Sequence, residues 1–289
     1  MGRVVFIGAG PGAADLITVR GAQRLAEADV VLFDALTDTA LRVYAPKAEW
    51  IDVGKRGFSR SAYDSTGQET INELLVRHAN EDRVVVRLKG GDPSIFGRLE
   101  EELETLLRAG IDCEVVPGVT AALAAAALTQ RPLTRRGSGR SVSLTTAMTR
   151  EGELHASRTA DTEVFYMAGR HLPALARRLL AAGWPADTAV SVVSRAGWPD
   201  QMQSDHRLAN LAPATVIHAG RPTVVTVGAG AAPIVQREFG ARAGRGERAG
   251  APTGRHDAGE GVTGRPQVAT APSAPAEEDA HPRVFSPKP

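Results

Sequence analysis

Val84-Val-Val-Arg-Leu-Lys-Gly-Gly-Asp-Pro93 is an apolar strand that runs straight into two glycines, a carboxylate and a proline. Glycines at a strand end let the backbone approach a ligand with no side chain in the way. Asp92 then places a carboxylate at the carboxyl end of a strand, where open α/β sheets bind ligands. The N-terminus repeats the pattern: Val4-Val-Phe-Ile7 leads into Gly8-Ala-Gly-Pro-Gly12. Two such edges predict one bilobed site for a small cofactor.

Working outward, short apolar runs alternate with helical patterns. Strands are expected at 4–7, 30–33, 50–53, 84–88 and 114–116, with helices at 15–28, 69–79 and 99–109. That alternation predicts a parallel sheet covered by helices. Pro117-Gly118 closes this unit, and an Ala-rich helix at 120–128 follows. Further strands are expected at 142–146, 163–167, 189–193 and 223–227, with a helix at 172–182. The chain therefore reads as an α/β protein with an N-terminal domain over 1–117 and a C-terminal domain over 118–238. Each domain is expected to hold a mostly parallel sheet flanked by helices, with the cofactor in the cleft between them. Residues 239–289 are rich in Gly, Pro, Ala and Arg and lack apolar periodicity. Such a segment cannot bury enough surface to offset its chain entropy, so a disordered tail is expected.

Composition narrows the class. Of 289 residues, 43% are hydrophobic, enough for a packed core, and only 4% are aromatic. Scarce aromatics and a net charge of +1 give no case for nucleic acid or a membrane surface as partner. The single cysteine, Cys113, excludes a disulfide within the chain and is read as a buried, inert thiol. The seven histidines show no metal-ligand spacing, so no metal is expected. The chain opens directly on a strand pattern and no apolar run is long enough for a membrane span, so a cytoplasmic setting is expected.

The glycine turns leave two cofactor classes open. Gly8, Gly10 and Ala13 match a dinucleotide fingerprint, and Asp34 follows at the end of the second strand. An NAD-linked oxidoreductase would use such a pattern, but glycine turns after a first strand serve several nucleoside cofactors. Asp92 can also serve as a helix N-cap, with Pro93 at the first helical position.

Six segments taken together resemble the tetrapyrrole methylases. They are Gly8-Ala-Gly-Pro-Gly12, Val53-Gly-Lys-Arg56, Arg87-Leu-Lys-Gly-Gly-Asp-Pro93, Val116-Pro-Gly-Val-Thr-Ala121, Pro132-Leu-Thr134 and Phe165-Tyr-Met167. The resemblance implies a two-domain α/β methylase, usually a homodimer, with S-adenosylmethionine in the cleft and no metal. By similarity, Pro11, Gly90, Gly91, Asp92, Ile95, Thr120, Ala121, Met167 and Ala196 line the cofactor. Asp34 and Lys55 match the family's proposed acid–base positions. The implied activity is two C-methylations of uroporphyrinogen III to precorrin-2, on the way to sirohaem and cobalamin. Methylation of a later precorrin, of the precorrin-4 type, is the alternative, suggested by Arg195-Ala-Gly-Trp-Pro-Asp200.

Such a substrate is rich in carboxylates, which arginine forks bind bidentately. Arg56, Arg135 and Arg136 are therefore candidate substrate contacts. Several positions depart from the family pattern: Ala35 stands where an Arg is usual, Leu99-Glu100 where Gly-Gly is usual, and Arg135 where a His is usual. The loop after Lys55-Arg56 is longer, and Thr146-Ala147-Met148 replaces Thr-Gly-His. These changes fall on the substrate side, so the methyl donor is the safer inference.

Overall fold

The computed structural model describes residues 2–54, 65–147, 154 and 156–234. They belong to one compact unit, Met1–Gln236. Lys55, Arg56 and the expected tail, 239–289, lie outside the described residues.

The first sheet contains β1 (Arg3–Gly8), β2 (Val30–Phe33), β3 (Glu49–Asp52), β4 (Val84–Lys89) and β5 (Asp112–Val116). Their order is β3-β2-β4-β1-β5, and every pairing is parallel. Helices α1 (Val19–Ala26), α2 (Ser65–Asn80) and α3 (Leu99–Arg108) connect them. Strands β1, β2 and β4 are buried almost throughout because helices cover both faces of a parallel sheet; β2 is wholly apolar, while β4 carries Arg87 and Lys89 within its apolar run. One face packs Val5, Ile7 and Leu88 with Leu25 of α1; the other packs Phe6, Leu32 and Val85 with Leu75 of α2 and Leu106 of α3. The expected helix at 15–28 is split. A 3-10 turn covers Ala14–Leu16, and α1 then starts afresh from Thr18, whose hydroxyl accepts the Gly21 N–H at 3.0 Å.

The Ala-rich helix α4 (Ala121–Leu128) leads to the second sheet. This contains β6 (Val142–Thr146), β7 (Thr162–Tyr166), β8 (Ala189–Ser194), β9 (Met202–Arg207) and β10 (Thr223–Gly228), with α5 (Leu172–Ala181) and α6 (Ala214–His218) between strands. Its order is β6-β7-β10-β8-β9. Only β6 and β7 are parallel; the other three pairings are antiparallel. The expectation of a mostly parallel second sheet is thus corrected to a mixed one. The link 195–201 is too short for a parallel crossover, so β8 and β9 form a hairpin. Strand β9 was not expected at all. Its Met-Gln-Ser-Asp-His-Arg sequence is polar because it is a largely exposed edge. Cys113 corrects another expectation: it is exposed, on the edge strand β5. Partial burial, and then Asp112, still push its thiol pKa up.

Candidate active site

Strand register brings the glycine turns together. Gly8 pairs with Lys89 and Ile7 with Val116, so the turns after β1, β4 and β5 leave the sheet side by side. A Cβ on Gly8 would lie 2.5 Å from Gly118 Cα and 2.7 Å from Gly91 O, so these three backbones approach as only glycine allows. In the second sheet, Val224 pairs with Tyr166 and Val193, and Thr223 pairs with Ser194. That register gathers the ends of β7 and β8 around the start of β10.

Both groups of turns line one cavity of about 220 Å³. Pro11, Gly90, Gly91 and Asp92 come from the first sheet's turns, and Ile95 from the segment after β4. Thr120 and Ala121 come from the start of α4, and Met167 and Ala196 from just past β7 and β8. Every residue expected to touch the cofactor therefore meets here. A larger hollow of about 860 Å³ lies against α3 and β5, but it is open and shares only Phe96 with the cavity.

Phe96, Tyr166, Arg195 and Trp198 also line the cavity, and sequence reasoning missed them. The Phe96 and Tyr166 rings are 5.0 Å apart. The Tyr166 hydroxyl lies 2.8 Å from that of Thr120 and accepts the Ala122 N–H at 3.4 Å. Burial raises the Tyr166 pKa, outweighing that Thr120 bond. Trp198 Nε1 donates to the Pro11 carbonyl at 3.1 Å, tying the β8–β9 link to the first glycine turn. Phe96, Met167 and Arg195 hold left-handed backbones, with φ of 53°, 59° and 51°. Such conformations are uncommon outside glycine and gather at functional sites. No residue pattern announces them.

Asp92 is a tie as well as a wall. Its Oδ1 accepts the Ser94 N–H and its Oδ2 the Gly118 N–H, both at 2.8 Å. The carboxylate joins the β4 turn to the β5 turn. It does not cap α3, which starts at Leu99.

Asp34 is not among the residues lining the cavity. Arg87 Nη2 donates to its Oδ1 at 2.6 Å, and Arg87 Nε donates to Glu102 Oε1 at 3.0 Å. Lys89 Nζ donates to Glu102 Oε2 at 2.5 Å. Glu102 is fully buried, and Arg87 and Lys89 are 3% exposed. Two cations and two anions thus form one quartet beneath the β2 and β4 turns, with Arg87, Lys89 and Glu102 buried and Asp34 partly exposed. Burial alone would lower the Arg87 pKa, but Asp34 and Glu102 outweigh it and raise it. Burial, joined by the charge of Arg87, pushes Lys89 below the usual lysine value.

The arginine candidates are not brought to the cavity. Arg135 donates to the carbonyls of Ala232 and Pro233 and lines a separate hollow. Arg136 is exposed. Lys55 and Arg56 lie outside the described residues. Among the described residues no group of three side chains is placed to hold a metal ion, and no helix is long and apolar enough to cross a membrane.

The fold, the paired glycine turns and the cleft define a methylase of a known class. The chain belongs to the tetrapyrrole (corrin/porphyrin) methylase family, whose model matches residues 3–212. It is 42% identical over 214 residues to the uroporphyrinogen-III C-methyltransferase of Pseudomonas aeruginosa, covering 73% of this chain and 86% of that protein. The Synechocystis enzyme of the same name is 40% identical over 238 residues, covering 79% and 89%. A sirohaem synthase of Klebsiella pneumoniae is 45% identical over 197 residues, and the match spans 66% of this chain and 42% of that longer protein. The Thermus thermophilus uroporphyrin-III C-methyltransferase, solved with S-adenosylhomocysteine, is 36% identical at a TM-score of 0.68, covering 78% of this chain and 97% of that one. A cobalt precorrin-4 methyltransferase is 30% identical at a TM-score of 0.69, covering 80% and 96%.

Proposed function

We propose that the chain is an S-adenosylmethionine-dependent C-methyltransferase that converts uroporphyrinogen III to precorrin-2 by two methylations. The observation that carries this reading is the convergence on one cavity of every residue the family resemblance assigns to the cofactor. The Pseudomonas and Synechocystis relatives support the substrate.

The residues present suit the methyl donor. A Cβ on Gly91 would meet nothing nearer than Thr120 Cα, at 3.8 Å, so the space beside that backbone is open to a ligand. Thr120 and Tyr166 offer hydroxyls for polar groups, while Ile95, Phe96 and Met167 offer apolar surface for a nucleoside. When bound, S-adenosylmethionine supplies a methyl group already activated on sulfur. The protein's contribution is then chiefly alignment of that methyl with an electron-rich pyrrole carbon of the substrate. After attack, the ring carries positive charge and must lose a proton. Asp34, oriented by Arg87, is the carboxylate that stabilises the charge or receives the proton. Lys55 and Arg56 follow β3 in sequence, and we assign them to proton donation and to a substrate carboxylate.

We place this enzyme in the cytoplasm, on the sequence pattern above, and as a homodimer, as the family resemblance implies. Light scattering after gel filtration measures the oligomer. Net charge of +1 gives no general attraction to nucleic acid or an anionic membrane.

The test is anaerobic incubation with uroporphyrinogen III and S-adenosylmethionine, followed by mass analysis. Addition of two methyl groups is expected, and failure to add any would sink the reading. The likeness to the cobalt precorrin-4 enzyme motivates a second reading, a later corrin substrate, which parallel turnover of both substrates separates. Thermal shifts with NAD, NADP and S-adenosylhomocysteine dispose of the oxidoreductase alternative. Stabilisation by a dinucleotide alone would favour it.

A further inference from the structure

Behind the second-sheet wall of the cavity runs a continuous line of hydrogen bonds. His206 Nε2 is 2.7 Å from Ser204 Oγ, and Ser204 Oγ is 2.8 Å from His218 Nε2. His218 Nδ1 is 2.5 Å from Ser194 Oγ, which is 2.8 Å from Thr223 Oγ1. Thr223 Oγ1 donates to the Arg221 carbonyl at 2.8 Å.

That last bond orients the line as far as His218 Nδ1, and the neutral ring orients the rest. The Arg221 carbonyl only accepts, so the Thr223 hydroxyl proton is committed to it. Ser194 then donates to Thr223 and must accept from His218 Nδ1–H. His218 Nε2, left bare, accepts from Ser204, which accepts from His206. With His218 neutral and its proton on Nδ1, each hydroxyl donates once and each ring nitrogen has one role. Its surroundings demand the same. His218 is fully buried. Ser194 of β8 meets it directly, and α6, which carries it, joins through Ala214 an apolar cluster that includes Val190 and Val192 of β8 and Leu175 and Leu179 of α5. The charged groups acting on it are His206 of β9 and Arg221 before β10, both cationic or potentially so; burial first, then these two, hold its pKa below the ordinary imidazole value. Asp200 is already shared by Arg195 and Arg221. The other end of the line reaches the ligand: Ser194 precedes the left-handed Arg195 and Ala196, and Arg195, Ala196 and Thr223 line the cavity.

We propose that His218, neutral and donating from Nδ1, is a positioning residue that holds Ser194 and Thr223 so that the 194–196 turn closes around the cofactor. The proposal rests on the reading of the cavity as the S-adenosylmethionine site. Partly exposed His206 is where the line meets solvent. His206 takes a proton at Nδ1 and passes its Nε2 proton to Ser204. Ser204 passes its own hydroxyl proton to His218 Nε2. The resulting imidazolium, buried beside Arg221, has no carboxylate among these neighbours, so the closed wall is lost and the ligand with it.

The experiment is calorimetric titration with S-adenosylhomocysteine at intervals between about pH 8 and pH 5, across the imidazole range. Affinity is expected to hold above the ordinary imidazole value and to fall below it, by up to about tenfold per pH unit. His218→Asn keeps an amide donor near Nδ1 but takes up no proton. It should bind about fivefold more weakly at neutral pH, and its acid fall should vanish. Ser204→Ala, which removes the acceptor for an Nε2 proton, should move the fall to lower pH. Nitrogen-15 correlation spectra of the wild-type protein should show the neutral Nδ1–H tautomer of His218 at neutral pH. An unchanged acid fall in either variant, or an imidazolium or Nε2–H tautomer at neutral pH, overturns the proposal. Absence of S-adenosylhomocysteine binding at any pH overturns the cavity reading itself, and this inference with it.

Discussion

Gly10 and Gly91 each donate a backbone hydrogen bond to the other's carbonyl, Gly91 at 2.7 Å and Gly10 at 3.2 Å. The two turns that frame the cavity are therefore one hydrogen-bonded unit. Side-chain intrusion at either end of that unit has different consequences, and this is open to measurement.

Gly8→Ala should be a stability variant. Its Cβ would lie within 2.7 Å of backbone atoms of Gly118 and Gly91, which cannot step aside. A melting-temperature loss equivalent to at least about 1–3 kcal/mol is expected. Gly91→Ala has room, and its left-handed φ of +72° costs about 1–2 kcal/mol. Its larger effect should be on S-adenosylhomocysteine, with affinity weakened by about a hundredfold or more, roughly 2.8 kcal/mol, as the methyl enters ligand space. Equal losses in stability and binding for Gly91→Ala would make the turn mainly structural.

Glu102→Gln should be among the most damaging conservative substitutions in the protein. It leaves Arg87 and Lys89 buried with only Asp34 as counter-charge. A loss of about 3–5 kcal/mol in urea unfolding is expected. Adding Lys89→Met removes the stranded cation and should recover part of that loss. A double-mutant cycle with no coupling would show that the quartet is not one unit.

Asp34→Asn keeps shape and the Arg87 contact while removing the carboxylate. Turnover should fall by about 10²–10⁴-fold, the usual range for losing a proton-transfer group. S-adenosylhomocysteine affinity should hardly move, because Asp34 does not line the cavity. Full activity in this variant would remove Asp34 from the chemistry.

Trp198→Phe deletes the Nε1–H that reaches the Pro11 carbonyl. Stability should drop by about 1 kcal/mol. Faster hydrogen exchange at residues 10–12 and 197–200 should accompany it. Unchanged exchange at both segments would mean the bond does not couple them.

Arg131 and Asp205 form a two-pronged pair between the start of the second half and edge strand β9. Arg131 first of all, through hydrogen bonding, lowers the Asp205 pKa from 3.8. In the folded state the carboxylate binds its proton less readily than in the unfolded chain. The stabilisation is thus complete above the ordinary carboxylate value and is lost as pH falls through the lower folded value. Asp205→Asn should flatten that part of the acid unfolding curve by removing the same contribution at neutral pH, a modest one because the carboxylate is half exposed.

The first sheet was legible because its central strands are buried on both faces and are rich in short apolar runs. Val30–Phe33 matches the expected limits to the residue. The second sheet was less so. Period and burial mark a strand, but they do not mark its direction, and β9 carries the pattern of a solvated edge. At the site, glycine spacing and the family motifs pointed to the backbone half of the cavity. The aromatic half was not assigned: Tyr166 and Trp198 stand in quoted motifs, but with Phe96 they are far apart in sequence and only the fold brings them to one cavity. The quartet was also hidden. Arg87 and Lys89 sit in the motif that opened the reading, yet nothing in it says that Glu102 lies opposite.

The contact among Gly8, Gly91 and Gly118 has a temporal meaning. It requires the ends of β1, β4 and β5 at once, so no shorter piece of the first sheet can hold the floor of the cavity. The far wall then waits for Val224, near the end of the described chain, to pair with Tyr166 and Val193. During synthesis the chain gains its capacity to bind only when nearly all of this unit has left the ribosome. Ligand capture by a nascent chain would accordingly report completed assembly, not a partial one.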